Sequence, residues 1–500
     1  MPETPLQPSF DDFLALCQEG NLVSVWTELT ADYETPLSAF QKISDGQYSF
    51  LFESAETRED AGRYSFLGTS PRLVFACRDG QVTLSGPGRE SESYPAQWDP
   101  LAELESIMRR CRPAPANGLP VFHGGAVGYL AYDAVHYFEP TVPLHPRDDL
   151  NIPDLLFMIT DTVMIFDHRF RRLQIVANVF LDDYADPRSA YDSAREKIEE
   201  VIRRLRTPLH YDPVPTLTPI PEPVPVSNTT REAYCGMVER AKEYIRAGDI
   251  FQVVPSQRFE VPYAGSPLSL YRALRHINPS PYMFCLQFPD GFSLVGSSPE
   301  VHVRAIDGRV EIRPIAGTRW RGASEGEDQA LEEELLADPK ERAEHIMLVD
   351  LARNDVGRIA EFDSVRVTDL MIIERYSHVM HIVSNVEGRL DPSRSAYDVM
   401  RATFPAGTVS GSPKVRAMQI IREMEISRRG AYAGAVGYFG FDGNLDSCIA
   451  LRTAVLQGGT AYVQAGAGVV ADSVPESEYT ETVNKARGLL RAVEWARLLR

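Results

Sequence analysis

The sequence predicts an α+β fold, and three observations predict it. Strand-like runs separated by turns fill most of the first 206 residues. After residue 227, helical periodicities with start and stop signals are interspersed with further strands. The order is irregular, without the repeating strand–helix–strand units of a doubly wound parallel sheet. A chain of 500 residues, 44% hydrophobic and 24% charged, is long and apolar enough for two or three domains with large cores.

The elements follow in chain order. Strands are predicted in "SFLFES" (49–54), "RLVFACRDGQVTLSG" (72–86) and "DTVMIFDHRFRRLQIVANVF" (161–180), and helices near 99–112 and 187–205. The proline-rich stretch "TPLHYDPVPTLTPIPEPVPVSN" (207–228) is extended and unfit for a helix or a central strand. It divides the chain into an N-terminal region 1–206, a linker 207–226 and a C-terminal region 227–500. The C-terminal region opens with a helix. Thr229 and Glu232 form a capping box, Tyr234, Met237, Val238, Ala241, Tyr244 and Ile245 recur at helical spacing, and Gly248 is the stop. The strand "IFQVVPSQRFEV" (250–261) follows. "GAVGY" occurs twice, at 125–129 and 434–438. Glycines weaken a strand, so they imply close approach of a backbone or a ligand; chance repetition is the alternative.

The formal net charge of −19 argues against a nucleic-acid partner. Six cysteines without CxxC spacing fit free thiols in a reducing compartment. The start "MPETPLQPSFDDF" has no basic segment followed by an apolar run, and no uncharged apolar run approaches the roughly 18 residues of a membrane span. The expectation is a cytoplasmic protein. Walker A, dinucleotide, HExxH and GxSxG motifs are absent.

Two carboxylate pairs stand three residues apart, Glu341 with Glu344 and Glu478 with Glu481, each on one face of a predicted helix. The second helix is predicted to start at Ser473, with Glu476 closing a capping box. Both pairs border apolar stripes, where they would repel unless a hard cation such as Mg²⁺ joined them. The alternative is solvated glutamates, with Glu481 paired to Lys485. His381, in the alternating run "YSHVMHIVSNVEG", is either a general acid or base or a hydrogen-bonded core residue. Arg452 lies in the apolar run "SCIALRTAVLQ" and needs a carboxylate, from a ligand or from the protein. "QAGAGVVADS" (464–473) offers open backbone amides before a helix start, suited to an anion.

"GDIFQVVPSQRF", "NPSPYMF", "GSSPE", "PIAGTRWRG", "EHIMLVDLARNDVG", "FPAGTVSGSPK", "RGAYAGAVGYF" and "AGAGVVADSVPESEYTETVNKA" occur in this order. Together they resemble the chorismate-utilising enzymes, nearest to the branch of anthranilate synthase large subunits, over nearly the whole chain. The resemblance implies two large antiparallel-rich β-sheets packed together with helices outside. It implies amination of chorismate beside its carboxylate with loss of the hydroxyl, through an aminodeoxyisochorismate intermediate, then elimination of pyruvate to give anthranilate for tryptophan synthesis. Mg²⁺ is implied, held by Glu344 and Glu481 directly and by Glu341 and Glu478 through waters. Gly317, Thr318, Tyr432, Arg452, Gly466, Ala467, Gly468 and Lys485 match substrate-binding positions.

The catalytic positions matched are Glu300, a general acid for the departing hydroxyl, His381 for the aromatising step, Thr408 and Gln252. Gln252 stands where water-using members carry a general-base lysine, so ammonia is implied as nucleophile. Ala316 stands where aminodeoxychorismate synthases, the alternative reading, have lysine. No glutaminase elbow occurs, so a separate glutaminase subunit is expected, commonly as a heterotetramer of two plus two. "LFESAE" resembles the family's feedback site, with Phe52 replacing a leucine. Glu53, Ser54, Pro281, Tyr282 and Met283 are thereby expected to bind inhibitory tryptophan. The presence of Glu344, Glu481, Arg452 and His381 argues against a catalytically dead tryptophan sensor.

Overall fold

A computed structural model describes residues 5–54, 62–97, 99–209, 219–289, 291–376 and 379–499. Linker residues 210–218, the end of "LFESAE" and residues 377–378 of the His381 run lie outside the described residues.

Among the described residues, two large antiparallel sheets form the frame. The first has the order Leu22–Thr30, Arg172–Phe180, Thr162–Asp167, Tyr64–Thr69, Ser49–Glu53, Tyr282–Gln287, Phe292–Ser298, Thr453–Gln457, Thr460–Gly466, Ser256–Pro262 and Val226–Ser227. The second runs Ile315–Trp320, Val379–Arg389, Arg309–Ile312, Val301–Ile306, Leu445–Ile449, Ala435–Gly440, Gly125–Leu130, Leu155–Thr160, Leu73–Arg78, Gln81–Gly86 and Arg89–Pro95, with Arg366–Arg375 also paired to Val379–Arg389. The predicted α+β class with two packed sheets is what the structure has. Each sheet takes strands from both sides of the proline linker.

Period-two alternation sorts the side chains into layers. Phe50, Val127, Ile165, Phe284, Leu294 and Val436 meet in a core between the sheets. Leu51, Met164, Cys285 and Val463 face the other way, against helices that include Pro187–Leu205, Pro267–Ile277 and Pro475–Ala496. Phe75, Ala126, Ala435 and Phe439 do the same on the second sheet.

The two "GAVGY" copies are hydrogen-bonded neighbours, with Gly437 opposite Gly128 and Val436 opposite Tyr129. Their glycines admit backbone rather than a ligand. A Cβ on Gly128 would lie 1.9 Å from the Leu156 carbonyl oxygen, and one on Gly437 would lie 2.1 Å from that of Asp446.

Two start signals shift. The helix Arg231–Arg246 is capped by Thr230, whose side chain accepts from the Ala233 amide, not by Thr229 with Glu232. Thr229 instead donates to Asn228. With two adjacent threonines, the backbone decides which one caps. The last long helix begins after Val474 without a side-chain cap. The Ser473 hydroxyl turns back to the Val470 amide, and Glu476 pairs with Arg231. Gly248 does follow the first of these helices in a left-handed conformation, φ 83°. Among the described residues no helix is long and apolar enough to cross a membrane.

Candidate active site

Twice the chain crosses from one sheet to the other, at adjacent places. Glu300 lies where Phe292–Ser298 passes into Val301–Ile306, and Arg452 where Leu445–Ile449 passes into Thr453–Gln457. The crossings bind each other: the Ile449 amide donates to the Glu300 carbonyl at 3.1 Å, and the Ser297 amide to the Arg452 carbonyl at 3.2 Å. The apolar run around Arg452 is therefore two strands, not one. The arginine sits at their junction with φ 46°, a conformation costing a non-glycine residue roughly 1–3 kcal/mol.

Arg452 is recessed, and burial lowers its pKa while the nearby Glu300 raises it. Its Nη1 donates to Asn278 Oδ1 at 3.3 Å. Among the described residues no carboxylate lies within ion-pair distance of it, so the partner expected from the sequence is not a neighbouring Asp or Glu. Asn278 was legible only as part of "NPSPYMF"; nothing in its residue type foretold this contact.

Glu300 is 6% exposed, and burial pushes its carboxyl up to about 7 against the pull of the Thr408 hydrogen bond, Lys485 and Arg452. Thr408 Oγ1 donates to Glu300 Oε1 at 2.6 Å. Glu300 is thus a carboxyl able to carry a proton near neutrality.

His381 stands on the strand Val379–Arg389, between buried Met380 and Ile382. Its Nδ1 lies 2.9 Å from the Gly317 carbonyl oxygen and 3.1 Å from Thr318 Oγ1. A carbonyl only accepts, so Nδ1 carries the proton and Nε2 is the basic nitrogen. Burial lowers the ring's pKa, and Arg452 adds to this. Gly317, φ 67°, makes a bulge opposite His381, and a Cβ there would lie 3.2 Å from Glu341 Oε2. Ala316 pairs with Ile382 beside this bulge.

The two glutamate pairs lie on the helices Pro339–Gly357 and Pro475–Ala496. Burial raises the pKa of Glu344, and the charges of Glu341 and Glu481 raise it further. Glu478 is raised by burial and by Glu481. The pairs therefore face one another across two helices. Arg319 answers Glu341 at 3.2 Å, and Lys485 answers Glu481 at 2.7 Å on a half-exposed face. Among the described residues no three such side chains converge on one point as a complete metal cage. The all-oxygen donor set and the partly buried Glu344, repelled by Glu341 and Glu481, fit a hard divalent ion held by two carboxylates and completed by water and a ligand.

Glycine supplies the remaining wall. Lys485 Nζ donates to the Gly466 carbonyl at 3.2 Å. A Cβ on Gly466 would be 2.8 Å from the Tyr432 hydroxyl, and one on Gly468 would be 2.7 Å from Gln252 Nε2. Ala467 is buried, its amide bonded to Pro255. Gln252 Nε2 donates to Glu344 Oε1 at 3.2 Å, while its Oε1 is buried without a partner among the described residues. The fold thus brings all the predicted catalytic, substrate-binding and metal-binding residues into one cluster. Sequence reasoning missed Arg429, which is buried, paired with Glu425, and tied to the Val254 and Val409 carbonyls beside Gln252 and Thr408. Only its place ahead of "GAYAGAVGY" could have signalled it.

The cations of "EIRPIAGTRWRG" have partners of their own. Arg313 pairs with Glu374, Arg321 with Asp328, and Arg319 with Glu334 and Asp338 as well as Glu341.

The predicted feedback residues form a separate group on the first sheet. Glu53 pairs directly with Met283 across neighbouring strands. Its buried carboxylate accepts from the Tyr271 hydroxyl at 2.7 Å and lies 3.5 Å from Arg275. Ser54 follows one strand and Pro281 precedes the other. The Tyr282 hydroxyl is given to Asp446 at 3.0 Å, and Phe52 packs with Phe50 toward the core between the sheets.

The family model described as chorismate binding enzyme matches residues 86–491. The chain is 47% identical over 499 residues to anthranilate synthase component 1 of Aquifex aeolicus, covering 98% of each. It is 48% identical over 492 residues to the component 1 of Pseudomonas aeruginosa, covering 97% of this chain and 98% of the relative. The crystal structure of anthranilate synthase component I from Streptococcus pneumoniae superposes with a TM-score of 0.76 at 35% identity, over 92% of this chain and 99% of that one. The menaquinone-specific isochorismate synthase of Escherichia coli, at 19% identity and a TM-score of 0.71 over 97% and 99% of the two chains, shares the fold.

Proposed function

Because this chain belongs to the chorismate binding enzymes, we propose that it works as an anthranilate synthase component I, forming anthranilate and pyruvate from chorismate and ammonia. One observation carries the reading: a recessed guanidinium, without a carboxylate in ion-pair distance among the described residues, acts electrostatically on both a carboxyl able to hold a proton and a histidine whose basic nitrogen is Nε2. Arg452 receives an anionic group of the substrate. Glu300 protonates the departing hydroxyl, and His381 Nε2 takes a ring proton in the aromatising step.

Gln252 cannot act as a base, which favours a nucleophile that needs none. Ala316, without an amine, leaves nothing there to attack the ring. Glu344 and Glu481 would hold Mg²⁺, with Glu341 and Glu478 through water, and the ion would neutralise and orient the substrate carboxylate. The relatives' designation as component 1 supports a second subunit; in this reading it is a glutaminase that supplies the ammonia, within a heterotetramer of two plus two. The feedback group on the first sheet binds L-tryptophan, the end product of the pathway this reaction opens.

Incubation with chorismate, Mg²⁺ and ammonia, followed by fluorescence and mass, tests the proposal. Anthranilate and free pyruvate are expected. An aminated ring that keeps its enolpyruvyl group would refute it in favour of aminodeoxychorismate synthesis.

A further inference from the structure

Behind Glu300 lies a narrow cleft with about 30 Å³ of room. A water molecule needs roughly 10–15 Å³ by this measure, so the cleft has room for about two or three waters. Glu300 and Thr408 line it, with Leu348, Leu351, Ala352 and Ala406 among its apolar walls. Arg452, Lys485 and His381 do not line it. Glu300 therefore belongs both to the group around Arg452 and Lys485 and to a separate, water-sized cleft. His302 on the same wall is pushed down to about 3 by burial, and Asp355 is closed off by Lys414 at 2.7 Å, so neither is poised to hold the travelling proton.

We propose that this cleft is the path by which Glu300 recovers its proton in each turnover, with the Thr408 hydroxyl as relay. The inference rests on the function proposed above. As the carbon–nitrogen bond forms, the bond to the ring hydroxyl breaks and its electron pair leaves with oxygen. That oxygen takes the Glu300 proton and departs as water. Glu300 is left a carboxylate, and the new ammonium group gives up one proton to solvent. Thr408 Oγ1, already donating to Glu300 Oε1, passes its hydrogen across and takes another from a cleft water, and the hydroxide left there is neutralised through solvent by the proton that the ammonium gave up. Ammonia and the ring hydroxyl go in, amine and water come out, and Glu300 ends as it began.

The test compares T408V, T408S and A406L in the ammonia-dependent reaction, in H₂O and D₂O. T408V is expected to lower kcat by about 10- to 100-fold with an enlarged solvent isotope effect and a chorismate KM within about twofold of wild type. T408S restores the rate, and A406L, which narrows the cleft without touching the hydrogen bond, enlarges the isotope effect. A T408V enzyme with full rate and an unchanged isotope effect overturns the relay. A slow T408V beside an A406L with an unchanged isotope effect overturns the path and leaves Thr408 a structural partner of Glu300. An E300Q enzyme with wild-type rate instead overturns the role given to Glu300 itself.

Discussion

Arg452 meets Asn278 in one hydrogen bond of 3.3 Å and has no carboxylate within ion-pair distance among the described residues. A recessed charge held this way is costly for folding and useful for binding. Arg452→Gln is therefore expected to raise the chorismate KM by roughly 30- to 1000-fold, since removing one member of an enclosed charged pair costs about 2–4 kcal/mol. Its urea midpoint is expected to equal or exceed that of the wild type. A variant that loses stability but keeps its KM would show Arg452 to be structural.

Glu300 makes a prediction in pH. Its folded-state pKa of about 7 lies above the ordinary carboxyl value of 4.5 through burial. The folded protein therefore holds more protons than the unfolded chain between these values, and this group's contribution to stability falls as pH rises through that window. Glu300→Gln, which cannot ionise, is expected to match the wild type near pH 4 and to exceed it at pH 8 by about 3 kcal/mol. Activity should fall in the wild type above about pH 7 as the acid form is lost. Urea melts and pH–rate profiles on both proteins check it, and equal stability differences at both pH values would count against it.

The carboxylates on the two long helices predict a metal effect without any turnover. Glu344 is raised by burial and by Glu341 and Glu481, so a divalent ion removes a repulsion already present. Mg²⁺ at one hundred times its Kd is expected to stabilise the wild type by about 2.7 kcal/mol, reversed by a chelator. Glu344→Gln and Glu481→Gln should abolish the response. A wild-type melting curve indifferent to Mg²⁺ would remove the proposed metal site.

Most of the predicted strands and both glutamate helices were legible because period-two alternation and i,i+3 spacing are local, but the run 250–261, read as one strand, is two: Gln252–Val253 pairs with Gly411–Ser412 and Ser256–Pro262 with Thr460–Gly466. Arg452 was not legible as a crossing residue. Its flanks are apolar on both sides, and only the pairing of Gly296 with Thr453 and of Val301 with Cys448 shows that the run changes sheets. The "GAVGY" repeat was visible but its partner was not, because the two copies are more than three hundred residues apart and bond to each other. The caps failed at Thr229 and Ser473, where a neighbouring residue or a turn within hydrogen-bond reach competed for the same side chain. The partners of Arg319 and Arg321 were not legible either, because the acids that satisfy them come from the helices that follow.

The last prediction concerns Glu53 and Met283, which face each other across two strands of the first sheet. A buried carboxylate with, among the described residues, one hydroxyl donor and an arginine at 3.5 Å still has capacity to accept an ammonium group. L-Tryptophan is expected to inhibit the ammonia-dependent reaction. Glu53→Gln should raise the concentration for half-inhibition by roughly 10- to 100-fold, the worth of one charge-assisted hydrogen bond, with the uninhibited rate kept within about twofold. Phe52 points into the core between the sheets, so Phe52→Leu should leave inhibition nearly unchanged. Dose–response curves on the three proteins decide it. Wild-type enzyme insensitive to millimolar tryptophan would sink the site, and loss of inhibition in Phe52→Leu alone would place the ligand on the opposite face of the strand.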